Sequence, residues 1–171
     1  MQQTLLALLA LMMATFLNYS QMQADLQHQR EVVRSEMQEM AAGIAMQTME
    51  VIRARAFDEE VADGEEIDEP SDLSDPDFDT GNQCQAFFEG SGEVCNDIDD
   101  FHKMETATVP FNAPEFDMQF AVDVVVRYVD HSMEPVDERT YRKEVIIKVQ
   151  DKREDPYLHE PIRFSEVLTL N

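Results

Sequence analysis

The first 57 residues contain no proline and a single glycine, Gly43, and this long stretch without a helix breaker limits the chain's options most. Within it, Leu5 to Leu17 (LLALLALMMATFL) is apolar on every side, a pattern that a helix tolerates in lipid or packed among other helices. From Ala24 to Phe57 the apolar residues narrow to one stripe. Leu26, Val33, Met37, Met40, Ile44, Val51 and Ile52 recur at three- and four-residue steps, and Gln27, Arg30, Glu31, Arg34, Glu36, Gln38 and Glu39 fill the opposite side. The pattern predicts one continuous helix, roughly 80 Å long at about 1.5 Å per residue. Its first part, residues 1–23, is expected to form a transmembrane or filament-core segment. Its second part, residues 24–57, is expected to lie against a soluble head made by residues 58–171.

The N-terminus does not read as a cleavable secretory signal. Met1, Gln2, Gln3 and Thr4 precede the apolar run, the first basic residue is Arg30, and no small-residue cleavage site interrupts the helix. The absent basic flank is what a chain already shortened by removal of a charged leader would show. Eight of the eleven methionines fall within the first 49 residues, and the flexible thioether packs equally well against lipid or a neighbouring helix.

Charge divides the remainder. Residues 1–56 carry 5 acidic and 4 basic groups, residues 57–100 carry 17 and none, and residues 101–171 carry 14 and 9, within a total of -23. So concentrated an anionic surface excludes nucleic acid as a partner. Residues 58–82, with Gly64, Pro70, Pro76 and Gly81, read as a long acidic loop. Cys84 and Cys95 stand eleven positions apart, and an exported head predicts that they form a disulfide. Beyond about residue 107 the pattern alternates. Phe116, Met118, Phe120, Val122, Val124, Val126 and Tyr128 share one face, then Val145, Ile147 and Val149, then Ile162, Phe164, Leu168 and Leu170. A turn with His131, Pro135 and Asp137 separates the first two runs. Short connections without helical patterns predict an antiparallel meander, so the fold class is α+β: a long N-terminal helix whose second half packs on a small sheet.

In this layout the chain resembles the type IV pilins and pseudopilins. Local matches are the helix exit "MEVIRARAFDE" (Met49 to Glu59), the segment "CNDIDDFH" (Cys95 to His102) and the closing runs "YRKEVIIKV" and "PIRFSEVLTL". The second is similar to an element of pilins of the mannose-sensitive-haemagglutinin type. The resemblance implies an extracellular filament subunit held in the inner membrane before assembly. Its partners would be further copies of itself and a pilus assembly machinery. The contact surface would be Leu5, Leu6, Leu8, Leu9, Met12, Met13 and Phe16. Two positions depart from the family: Leu5 stands where glutamate is usual, and Met1 where phenylalanine is usual. Register between copies would then have to come from packing, or from Gln2, Gln3 and Thr4.

Two acidic groupings suggest cation chemistry. Asp75, Asp77 and Asp79 alternate ahead of Gly81, as carboxylates do in calcium loops, although Ala86 occupies the position where a bidentate glutamate would stand. Asp97, Asp99 and Asp100 precede His102, and the simpler expectation there is a turn whose aspartates accept backbone amides. No cofactor other than calcium is suggested. No phosphate loop or nucleophile motif is present, and His28, His102, His131 and His159 are scattered, so no enzyme activity is expected. Alternatives to the filament subunit are a minor pilin or pseudopilin of a type II secretion or pilus machine, and a membrane-tethered, calcium-dependent binding module.

Overall fold

The computed structural model describes residues 2–74, 84, 95–104, 109–113, 116–153 and 156–170. The chain is α+β and divides into two compact units, residues 1–37 and 38–171. Helix α1 spans Gln2–Arg53, α2 spans Glu59–Ala62, and four strands follow: β1 (Val109–Ala113), β2 (Phe116–Tyr128), β3 (Arg142–Asp151) and β4 (Ile162–Thr169).

In the first unit the helix is exposed. Leu6, Leu8, Leu9, Leu11, Met12, Met13, Phe16 and Leu17 all stand open to solvent, Leu9 at 54% and Phe16 at 72% of full exposure. No helix among the described residues, α1 with its expected transmembrane or filament-core part at residues 1–23 included, is long and apolar enough to cross a membrane. The physical reason lies in the length of the apolar run, which ends at Asn18 after thirteen residues where about 20 are needed.

Burial along α1 begins at Met37, so Leu26, expected in the buried stripe, is instead exposed. In the second unit the stripe continues through Ala41, Ile44, Ala45, Thr48, Met49 and Ile52, the three- and four-residue spacing of one helix face. Thr48 is accommodated because its hydroxyl donates to the Ile44 carbonyl at 2.8 Å. The helix ends at Arg53, four residues before the predicted Phe57. There the chain leaves to pair with the segment after Cys95: the Ala56 amide donates to the Asn96 carbonyl and the Ile98 amide to the Ala56 carbonyl.

The sheet is an antiparallel meander in the order β1-β2-β3-β4. β2 and β3 form its centre, with Val122 opposite Val149, Val124 opposite Ile147, Val126 opposite Val145 and Tyr128 opposite Lys143. All eight of these side chains are buried, as is Phe120. The outer face carries ion pairs between cross-strand neighbours, such as Arg127 with Glu144 at 2.6 Å. β4 is an edge strand, with Ile162, Phe164 and Leu168 half buried. Arg53 at the helix end reaches Glu166 of this strand at 2.5 Å.

Three strands were expected and a fourth, β1, is present. The described part of the acidic stretch, residues 58–74, is more regular than a plain loop: Asp58 caps α2, Gly64 with φ +85° closes it, a 3-10 turn covers Pro70–Asp72, and Leu73 is buried, while residues 75–82 of the expected loop lie outside the described residues. Cys84 and Cys95 are joined in a disulfide, with Cα atoms 5.6 Å apart.

Candidate functional site

Each unit presents one surface or cluster with functional potential. In the first unit it is the apolar coat of α1. Thr15 is the only polar residue between Leu5 and Leu17, and its hydroxyl donates back to the Met12 carbonyl at 2.9 Å. The helix therefore satisfies that hydroxyl internally and offers a partner hydrocarbon and thioether on every side. Six of the seven residues expected to make contact between copies, Leu6, Leu8, Leu9, Met12, Met13 and Phe16, are exposed on this coat. The side chain of the seventh, Leu5, lies outside the described residues.

In the second unit a cluster of charges is buried where the chain leaves α1. Lys143 falls on the same alternation as Val145, Ile147 and Val149, so β3 delivers it to the inner face opposite Tyr128. Its side chain is fully buried. Nζ donates to the Phe57 carbonyl at 2.8 Å, to Asp58 Oδ2 at 2.8 Å and to Asp99 Oδ2 at 2.6 Å. The rings of Phe57 and Tyr128 lie 4.6 and 5.0 Å from it, centroid to nitrogen.

The two carboxylates around Lys143 have different surroundings. Asp58 also accepts from the Ser74 amide at 2.8 Å, the Ser74 hydroxyl at 2.9 Å and the Tyr128 hydroxyl at 3.3 Å. Burial alone would raise its pKa, but the Lys143 ammonium and these hydrogen bonds outweigh burial and hold the carboxyl below its ordinary range. Asp99 has fewer donors. Its Oδ1 is buried with no hydrogen-bond partner among the described residues, and burial raises its pKa despite the neighbouring ammonium. Burial likewise raises the phenol of Tyr128, with the charges of Asp99 and Asp58 adding to the effect.

Beside this cluster, Asp97 and Asp100 behave as the turn reading expected. The Asp100 carboxylate accepts from the Asn96 and Asp97 amides, and Asp97 Oδ1 accepts from the Asp100 amide. Burial, reinforced by the charge of Asp99, pushes the Asp97 carboxyl up to about 7. Asp97, Asp100 and Glu59 each bring one oxygen within 4.8 Å of the others, the group among the described residues best placed to hold a hard cation. Sequence reasoning placed a calcium site instead at Asp75, Asp77 and Asp79, and these lie outside the described residues. His102 Nδ1 accepts from the Val126 amide at 3.0 Å, and burial lowers its pKa.

Sequence reasoning missed Lys143 and Asp58 altogether. The period of two that identified β3 would have found Lys143, a basic residue at an inward position of an apolar strand. Its partners could not be read from the sequence, since 85 positions separate it from Asp58 and 44 from Asp99.

No family model, curated protein or solved structure matches this chain.

Proposed function

We propose that this chain is the structural subunit of an extracellular filament of the type IV pilus kind, polymerising through its N-terminal helices. The observation that supports this most is the coat of exposed Leu, Met and Phe side chains on every side of α1 between Leu6 and Leu17. A helix apolar all round is not stable alone in water. One partner surface would cover a stripe, whereas a bundle of like helices covers the whole circumference. Burying several hundred Å² per copy at about 25 cal/mol per Å² is worth on the order of 10 kcal/mol before entropy is charged against it. Before assembly the same coat would dip into the lipid of the inner membrane without spanning it. Leaving lipid for a bundle is nearly neutral in hydrophobic energy, so assembly would need a dedicated machinery.

A pilin-like order, with a long helix leading into a small antiparallel sheet, also fits this reading. A repeated head-to-tail contact between copies yields an open helical filament. Heads this acidic repel one another, so salt should favour their packing. The test is to shear native cells and examine the released material by electron microscopy and peptide sequencing. Fibres with this chain as their bulk protein are expected. Dispersed monomers in detergent or lipid, with no polymer in any preparation, would overturn the proposal.

A further inference from the structure

A primary amine fully enclosed between two carboxyl groups can do more than pair with them. The Lys143 side chain is shut off from solvent, Asp58 and Asp99 each bring an oxygen within 2.8 Å of Nζ, and Phe57 and Tyr128 wall the space with aromatic rings. We propose that Lys143 and Asp99 condense into an intramolecular amide, with Asp58 carrying the proton between nitrogen and leaving oxygen.

The residues divide the work by their surroundings. Asp99 Oδ2 is 2.6 Å from Nζ and takes one of its protons, which leaves a neutral amine beside a neutral carboxyl group. Asp99 suits this part because burial raises its pKa and its Oδ1 meets no hydrogen-bond donor among the described residues. The nitrogen lone pair then attacks the Asp99 carboxyl carbon. As the N–C bond forms, the nitrogen becomes cationic and gives a second proton to Asp58, which its own hydrogen bonds keep as a carboxylate. When the C–Oδ2 bond breaks, the departing hydroxyl takes that proton and leaves as water. Oδ1 remains as the amide oxygen, one hydrogen stays on the nitrogen, and Asp58 is again charged. Total charge is unchanged and no oxidant or co-reactant is consumed.

In bulk water an ammonium and a carboxylate stay apart because water competes for both. Here the groups are held in place, and effective molarities for such oriented pairs reach about 10⁵–10⁸ M. Asp99 is the part of the cluster nearest solvent, its side chain 18% exposed, which gives the released water a way out.

Intact mass of the full chain, reduced, alkylated and denatured, tests the proposal. The wild-type chain is expected to be lighter by one water than its alkylated sequence mass, and Lys143→Arg and Asp99→Ala are expected at their full alkylated sequence masses. A wild-type chain at full mass overturns the proposal outright, and this measurement does not depend on whether either variant folds. Tandem mass spectrometry of a digest should show one branched peptide joining Lys143 to Asp99. A branch through Asp58, or a water lost at an aspartate remote from Lys143, would overturn the assignment.

Discussion

Helix α1 carries apolar residues at both ends, but of different kinds. Near its C-terminal end the buried face includes Ala41, Ala45 and Thr48, small side chains that allow close approach, with Ile44, Met49 and Ile52 between them. Between Leu6 and Leu17 the residues are mostly Leu, Met and Phe, and they point in every direction. A face shaped by one fixed neighbour is narrow and uses small residues where backbones come near. A surface meant for several neighbours is large, uniform and tolerant, and methionine and leucine supply that tolerance. The contrast separates residues that stabilise this chain's own head from residues that stand exposed and that the proposed filament would cover.

Substitutions can break that contrast directly. The largest effect is expected from Leu9→Asp, which would put an unpaired charge into an apolar bundle at a cost of several kcal/mol per copy. Fibres should vanish in electron micrographs while the head melts as in the wild type, and normal fibres from this variant would refute the bundled core. A paired comparison comes next. Ile147→Ala, in the centre of the sheet, is expected to lower head stability by about 2–5 kcal/mol. Leu8→Ala on the exposed coat should change it by no more than about 0.5 kcal/mol. Urea denaturation of both variants without fibres present decides this, and similar losses would mean that the two regions are not distinct.

The smallest expected effect concerns pH. The Asp97 carboxyl titrates at about 7 in the folded chain, against an ordinary 3.8. Between those values the folded state keeps a proton that the unfolded state has released, so this group's contribution to stability is present below about pH 4 and is lost as the pH rises through 7. Asp97→Asn keeps an acceptor for the Asp100 amide and carries no charge at any pH. It should be more stable than wild type above pH 7, on the order of 1 kcal/mol, and no different below pH 4. Thermal melts across that range would show the two curves converging in acid, and parallel curves would exclude Asp97 as the titrating group.

The sequence made the elements with long, regular periods legible. β2 and β3 were found because Phe120, Val122, Val124, Val126 and Tyr128, and later Val145, Ile147 and Val149, alternate without interruption, and the same residues are buried. β1 was missed because VPFNA is five residues long and contains Pro110, which leaves too few positions for a period to emerge. The helix was read four residues too long because nothing in "ARAFD" breaks a helix. The chain turns there for a tertiary reason, the pairing of Ala56 with Asp97. The buried charge cluster depends on the same kind of long-range contact. Asp58 and Asp99 look like any two of the 17 acidic residues between 57 and 100, and only folding places them beside Lys143.

The position of Lys143 has a mechanical consequence. Phe57 and Asp58 follow α1 by only a few residues, and both are tied through Lys143 Nζ to the centre of the sheet. Tension arriving along the helix therefore passes at that junction straight into β3, before it reaches the acidic stretch that follows in the chain. A chain wired in this way takes a pull on its helix at the centre of the sheet.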